Sequence, residues 1–594
     1  MRAFFGVTYK SDAIRRCQIS YLGEAEMHIN NTAGNLLSTR SRGLSANKRM
    51  CLPHRLRLSV TVVVVLATVW QLGTSRTAIA ASPEASADTL QEVIVTASRL
   101  SENVQNVPMS ITPLTAETLE KAGVVDFQDY AHMVPNLTFS HAFGVQGADV
   151  AIRGIQGAGT TAFYLDDLPI DQAMDPRLLN NVERIEVLRG PQGTLYGARS
   201  MGGAVRVITA LPDTHKWSGG VNVQGTDYSG GRPGYQVDGY LNIPLIGDKL
   251  ALRLSLFDGS AGPFIHRQWV TNVDPAALAN STLSPSELSQ FPLTGTLTAR
   301  NDYYGGMASL LWQATDNLTV RGTLMKQVSN YNGWPMSDFE VTPTTGQYTA
   351  DSLSQIRTFD IPEYDYLTWW LAGLTVEYQT SIGTLSSATG YVHRDANNWE
   401  DITEWTHNVV FPGLAPLPSP IFTWNYVHSF VEELRFASKP LGPVQFVTGI
   451  YIFRQSGEPG QNWVVPGADA ATGGALGTDV GYYSSGQSED FENAAYIDLT
   501  YHVTEKFSAT VGYRRSHVKT EAFYPWSGFI VAPTTGGGGS NLENVSTPKV
   551  SLQYQQNPNV LYYALASKGF RPGNGQVAPP ESFCGDDYDR LDAG

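Results

Sequence analysis

The feature that most restricts this chain is a two-residue alternation of apolar and polar side chains, repeated in segments of about ten residues from Trp217 onward. Its clearest example is Leu250-Ala251-Leu252-Arg253-Leu254-Ser255-Leu256. Successive side chains of a strand point to opposite faces, so the leucines form one apolar face and Ala251, Arg253 and Ser255 a small, polar one. A preceding strand, Tyr235 to Leu245, joins it through Ile246-Gly247-Asp248, and similar short turns fall at Thr315-Asp316-Asn317, Ser381-Ile382-Gly383 and Asn557-Pro558-Asn559. Long connections rich in Gly, Pro, Ser, Thr and Asn lie between them, at 258–300, 328–364, 396–426 and 456–490. Short turns alternating with long loops predict a mainly β fold, a transmembrane antiparallel β-barrel whose edgeless sheet satisfies its backbone in lipid. Aromatic clusters at strand ends, Tyr303-Tyr304, Tyr366 with Trp369-Trp370, and Tyr562-Tyr563, suit the girdles of such a barrel. A secreted β-rich module or hydrolase is the alternative for the same aromatics.

Composition narrows the setting. Charged residues are 16% of the 594, against roughly 25% in soluble proteins. The net charge is −15, although the first 80 residues hold 11 Lys and Arg against 3 Asp and Glu. The rest is acidic, which excludes nucleic acid as a partner, since phosphate binding needs clustered cations. Within 1–80, His54, Arg55 and Arg57 precede an apolar run from Leu58 to Leu72, and Ala78-Ile79-Ala80 follows. This reads as a signal peptide at about 50–80, with Met50 as the true start and maturation near Ala81. No later run of 18 apolar residues exists, so helical spans are not expected. Cys17, Cys51 and Cys584 cannot make a disulfide framework.

Residues 104–213 differ from the rest. Thr115 caps a helix from Ala116 to Ala122 that Gly123 stops, and short strands follow at Val150 to Arg153, Phe163 to Leu165, Ile185 to Leu188 and Val205 to Thr209. Here the segment from Val182 to Gly197, with Glu183, Arg184, Glu186, Arg189, Gly190 and Gly193, continuing to Gly202-Gly203, resembles the plug of the TonB-dependent outer-membrane receptors. Asn106-Val107-Pro108, Val134-Pro135-Asn136 and Arg153-Gly154 are similar to earlier parts of that plug, and Glu432 to Phe436 and Ser567 to Gly573 to barrel segments. The resemblance covers about 81–594. It implies an N-terminal α+β plug in the barrel lumen, a barrel at 214–594, and a periplasmic linker at 81–103. Within that linker Glu92-Val93-Ile94-Val95-Thr96-Ala97 resembles a TonB box, whose β-branched residues favour an extended strand able to join a partner's sheet. Glu433 and Arg435 are the expected barrel side of a plug contact, because Leu434 and Phe436 take the opposite face.

Catalytic patterns are absent: Gly154-Ile155-Gln156-Gly157-Ala158-Gly159 lacks the Lys of a phosphate loop, and no nucleophile elbow or zinc-protease helix occurs. His132, His141, His266, His393, His407 and His428 stand singly, and Asp166-Asp167 reads as a turn, so no metal site or cofactor is expected. About thirteen strands fit between Trp217 and Gly569 by the alternation rule, whereas the family's barrel has about 22; the barrel is therefore expected to be C-terminally incomplete. The resemblance implies energy-coupled uptake of a scarce solute across the Gram-negative outer membrane. Partners would be a TonB complex in the periplasm, membrane lipid, and a small-molecule or metal-chelate ligand. Ferric siderophores lead, glycans and cobalamin are alternatives, and loop aromatics such as Trp334, Trp399, Trp405, Trp424, Trp463 and Trp526 suit several of these. A passive porin-like channel accounts for the barrel but not for the plug or box.

Overall fold

A computed structural model describes residues 93–573, excepting 125, 142–147, 158, 172–173, 175, 178–180, 336–339, 342–347, 350–352 and 532–536. The leader expected at 1–80 and Glu92 lie outside the described residues.

The N-terminal domain comprises β1 (Ile94–Val95), β2 (Glu102–Asn103), β3 (Ser110–Thr115), α1 (Ala116–Lys121), α2 (Phe127–Ala131), β4 (Leu137–His141), β5 (Ala148–Ile152), β6 (Thr161–Leu165), β7 (Leu168–Ile170), β8 (Val182–Arg189), α3 (Gly193–Tyr196) and β9 (Gly203–Thr209). Thr115 accepts the Thr118 N–H to start α1, and Gly123 follows its end at φ +66°. A reciprocal Asp126–Asp129 box opens α2. The central sheet runs β3-β8-β9-β6-β7, with β6 and β9 parallel. Its apolar face packs Leu119 and Phe127 from the helices against Leu165, Ile185, Val187 and Val205.

Gly203 shows why small residues recur here. Its φ is +153°, and a Cβ would stand 2.1 Å from the Leu188 carbonyl oxygen, so β8 and β9 close only around glycine. Gly203→Ala is expected to destabilise the plug by about 1–3 kcal/mol, read as a lower urea midpoint for protease resistance of residues 104–213.

The later residues form β10 (Ser218–Thr226), β11 (Gly234–Ile246), β12 (Leu250–Ala261), β13 (Ile265–Val270), β14 (Leu293–Thr298), β15 (Arg300–Thr315), β16 (Leu318–Asn332), β17 (Glu340–Val341), β18 (Tyr348–Thr349), β19 (Ser354–Arg357), β20 (Tyr364–Gln379), β21 (Gly383–Asp401), β22 (Pro420–Ser438), β23 (Val444–Val464), β24 (Val480–Ser485), β25 (Gln487–His502), β26 (Phe507–Tyr524), β27 (Trp526–Ser527), β28 (Gly537–Asn557) and β29 (Val560–Ser567). Among the described residues the wall follows one path, β10-β11-β12-β15-β16-β20-β21-β22-β23-β25-β26-β28-β29, with β24 and β27 at its side. That path has the thirteen strands read from the alternation. Along this path short turns lead from β11, β15, β20, β22, β25 and β28 to the next strand of the path, and longer connections lead from the others.

On β12, Leu254 and Leu256 are 37% and 50% exposed while Ala251, Arg253 and Ser255 are buried on the opposite face. Two expectations need correction. The aromatic doublets do not share one face: Tyr303 and Trp369 are buried inward while Tyr304 and Trp370 point out, as a period of two requires. The connections expected at 396–426 and 456–490 also begin late, because β21 runs to Asp401 and β23 to Val464. Residues 396–401 and 456–464 are rich in Asn, Gln, Gly, Ser and acidic side chains, so their composition reads as loop although they continue the strands.

The N-terminal domain sits in the hollow of this wall. Its residues, with Asp213 just after it, meet every strand of the path from β11 to β29. Asp213 bonds Asn242, Asn181 meets Arg253 and Met307, Arg177 meets Gln327, and Leu168 lies against Gly373 and Gly390. Asp171 pairs with Arg394, Asp167 with Arg435, Arg199 with Asp490 below the Phe453 ring, and Gly197 abuts Arg514. Thr194 bonds the Thr547 carbonyl, and Leu565 packs near Leu195 and Val107. A domain touched in turn by consecutive strands lies inside their curve.

Candidate functional site

The plug's N-terminal strand is latched into a buried ionic cluster. β1 pairs with β2, Ile94 opposite Asn103 and Val95 opposite Glu102. Val95 and Ala97 are fully buried. The Thr96 N–H donates to Glu186 Oε1 at 2.9 Å, Thr96 Oγ1 accepts from Arg206 Nη1 at 2.8 Å, and the Tyr196 hydroxyl donates to the Ala97 carbonyl at 2.9 Å. Glu186 itself is held by Arg184 at 2.8 Å and Arg206 at 2.6 Å.

Arg99 carries this network to the wall. At φ +62° it turns its guanidinium toward Asp167 and toward Glu433 Oε2, the latter at 3.3 Å. Arg435 lies 3.4 Å from both Asp167 and Glu433, and the Tyr496 hydroxyl donates to Glu433. Burial alone would raise the Asp167 carboxyl. The guanidinium groups of Arg435, Arg99, Arg206 and Arg321 outweigh it and hold that carboxyl well below the ordinary carboxylate range. Asp167 is therefore ionised, and the cluster is cross-linked and shared among the segment from Thr96 to Arg99, the plug sheet and β22.

The other sequence-derived residues fall into two groups. Glu433 and Arg435 turn inward and Leu434 outward, and Arg184 and Glu186 join the cluster. Glu183 is exposed and pairs with Arg184. Arg153, at φ +56°, lies over Gly190, where a Cβ would meet its Nη1 at 3.0 Å. Gly154 adopts φ +77° beside it, and Arg189 donates to the Pro135 carbonyl at 3.3 Å, so neither arginine reaches the cluster. Gly193 lets α3 approach the wall, since a Cβ there would stand 2.5 Å from the Lys568 carbonyl. Gly197, at φ +72°, makes room for Arg514, and Gly202 donates to the Thr160 carbonyl at 2.8 Å.

The segment expected as a TonB box is in part already paired. Of Val93 to Ala97, only Ile94 and Val95 form strand, and both already have a partner in β2. Sequence reasoning missed Arg99, Asp167, Arg206, Tyr196 and Tyr496. Asp166 and Asp167 do make the turn between β6 and β7. In addition, Asp166 accepts from the Thr209 N–H at 2.9 Å and pairs with Arg321 at 3.2 Å.

A cavity of about 300 Å³ lies between the plug and β22 to β26, lined by Arg199, Tyr451, Phe453, Asp490 and Arg571 among others, and it shares Tyr164 and Tyr196 with the cluster, where Arg99 lies over both rings. Among the described residues no group of three His, Cys, Asp or Glu side chains is placed to hold a metal ion.

A strand wall curved around a folded cork, with the cork's first strand tied into a charged latch on the wall, defines a plugged membrane-receptor architecture. The TonB-dependent receptor plug domain matches residues 103–204, and the TonB-dependent receptor-like β-barrel matches 326–588. This chain belongs to the TonB-dependent receptor family. The pesticin receptor of Yersinia pestis is 22% identical over 82% of this chain and 64% of its own length. An iron-regulated outer membrane virulence protein of Vibrio cholerae is 35% identical over 147 residues, 22% of each chain. The solved ferric yersiniabactin uptake receptor of Yersinia pestis shares the fold, with a TM-score of 0.63 at 18% identity over 80% of this chain and 66% of that one. This chain thus spans just under two thirds of the length of the two Yersinia receptors.

Proposed function

We propose that this protein is an outer-membrane receptor for energy-coupled import of a scarce solute, with ferric siderophores foremost among its cargoes. The observation that carries the reading is the latch: the segment a periplasmic partner would grasp is wired through Thr96 and Arg99 to Asp167, Glu186 and Glu433. Force on that strand is delivered to the charges that hold plug to wall. The ferric yersiniabactin uptake receptor, similar to this chain in fold, directs the choice of cargo toward iron chelates.

In this reading residues 50–80 export the chain, the outward leucine face meets lipid, the short turns lie in the periplasm, and the long connections face outside. The box engages a TonB energy-transducing complex by strand addition. The protein performs no bond chemistry: cargo bound above the plug biases it toward a state that releases the box, and work on the box opens a path. The test is accumulation of radiolabelled ferric siderophores by cells in which this protein is the sole receptor of its family. Uptake of at least one is expected to collapse when an uncoupler dissipates the proton gradient. Accumulation that persists under the uncoupler would establish a passive channel instead.

A further inference from the structure

The long connections beyond the wall fold into two lobes, each with an apolar core of its own. In the first, β13, β14 and β19 form a sheet, and Leu278, Leu283 and Leu288 pack with Phe291 and Ile356. In the second, Trp463, Val465 and Ala468 pack with Ile402, Phe411 and Leu417. Polar bonds cross from one lobe to the other. Glu404 accepts from the Thr358 N–H at 3.0 Å and from its hydroxyl at 3.2 Å. His407 Nε2 donates to the Ser281 carbonyl at 2.9 Å, and Asn408 donates to the Thr282 carbonyl at 2.7 Å. Two separate cores joined by a polar seam can part without unpacking either one.

Carboxyls crowd that seam. Arg267 comes to it from β13, Arg357 from β19, Asp360 and Glu363 from the connection after β19, and Asp365 from β20. Glu400 and Asp401 come from the outer end of β21, where the strand leaves the wall, and Glu404 and His407 from the helical turns that follow. Arg267 lies 3.5 Å from Asp360 and 3.7 Å from Glu363, and Arg357 lies 3.9 Å from Glu363. Among the described residues no ion pair reaches Glu400, Asp401 or Glu404. Asp401 is only 9% exposed. Its Oδ1 accepts from the Thr403 N–H at 3.0 Å and from its hydroxyl at 2.6 Å, while its Oδ2 has no hydrogen-bond partner. A buried carboxylate oxygen with neither cation nor donor is costly, and a proton on it removes that cost. Burial, with Glu363 and Asp365 nearby, pushes Glu400 up to about 8, and burial beside Glu404 pushes Asp401 up as well.

We propose that the seam is a proton-operated gate: Glu400 and Asp401 hold the lobes together while they carry protons, and their ionisation drives the lobes apart. In the parted state both carboxyls are solvated and titrate at ordinary values of about 4.3 and about 3.9. The closed seam therefore keeps protons that the open one has lost. Between the ordinary and the raised values, each such proton moves the balance toward opening about tenfold per pH unit. The gate is tight in mild acid and loosens as the medium turns alkaline. That it lies over the outer mouth of the wall rests on the orientation proposed above; that it opens with pH does not.

Hydrogen exchange of the full chain in detergent micelles tests this, each amide rate being corrected for its intrinsic pH dependence. From about pH 6 to about pH 8 the opening constant at the Thr358 amide, which crosses the seam to Glu404, is expected to rise at least tenfold. Amides in the middle of β21 should not change. Glu400→Gln with Asp401→Asn carries the neutral shape at every pH and should keep the acid level of protection at the alkaline end. Glu400→Gln alone leaves the Thr403 bonds to Asp401 in place and should lower the slope without abolishing it. His407→Gln keeps a donor for the Ser281 carbonyl and should leave the slope unchanged. A parent whose opening is flat or increases toward acid, or a slope that vanishes in His407→Gln, overturns the proposal. A flat profile leaves the uptake reading untouched, whereas a sloped profile in a chain that accumulates no cargo sinks that reading and leaves the gate.

Discussion

Asp167→Asn is expected to loosen the box strand about a hundredfold while leaving the wall intact. The substitution keeps shape and removes one negative charge from among Arg99, Arg206 and Arg435. Breaking a buried pair by removing one partner costs about 3–5 kcal/mol. The lower end applies here, because the Asp167 side chain retains 19% exposure and Glu433 and Glu186 still serve the arginines. At about 1.4 kcal/mol per tenfold, that is roughly two decades in the opening equilibrium. The readout is hydrogen exchange at the Thr96 amide, whose acceptor is Glu186, compared with amides in the middle of β21. The sign with pH follows from the depressed carboxyl. The stability Asp167 contributes is present above its unfolded value of about 3.9 and is lost as pH falls toward the lower folded value. Parent and variant should therefore differ fully at pH 7, and the difference should begin to shrink only below about pH 4 and narrow steadily as the pH falls further. Equal protection at pH 7 would show that the cluster does not hold the box.

That cluster marks where the sequence stops being legible. The wall could be read because β12 alternates Leu with Ala, Arg and Ser over one strand, and the outcome of that pattern depends on neighbours two residues away. The plug helix could be read because Thr115 and Gly123 act on their own turns. Arg99 and Asp167 are 68 residues apart, and Asp167 and Arg435 are 268 apart, so nothing local pairs them. The turn signal of Asp166-Asp167 was legible, but the carboxylates' partners depend on how plug and wall are nested. Burial of Val95 and Ala97 was hidden for the same reason: β-branched residues predict extension, while β2 and Tyr196 decide whether the extended segment is free. The histidines stood singly in sequence until the register of β21 and β22 paired two of them.

Deleting Glu92 to Ala97 is expected to remove energy-coupled uptake entirely while surface binding of the same cargo stays within twofold. The deletion takes away β1 and Thr96, and with them the connection between the chain's N-terminal segment and Glu186. It leaves Arg99, Asp167, Glu433 and Arg435 in place, so the plug should remain seated. A partner that captures the box by strand addition must first displace β2, and the register there is only two residue pairs long. At about 1 kcal/mol for each net hydrogen bond, β2 is a weak competitor, whereas the charges beyond it are a strong one. On the proposed function, capture must therefore overcome chiefly the bonds of Thr96 to Glu186 and Arg206 and of Ala97 to Tyr196, and load then passes on through Arg99. Val95→Pro separates these steps, because proline removes a ladder donor without shortening the tether: uptake should fall, while exchange protection around Asp167 persists. Cargo that still accumulates against an uncoupler-sensitive gradient after the deletion would mean that work enters the plug by another route, and the latch would then be a structural tie alone.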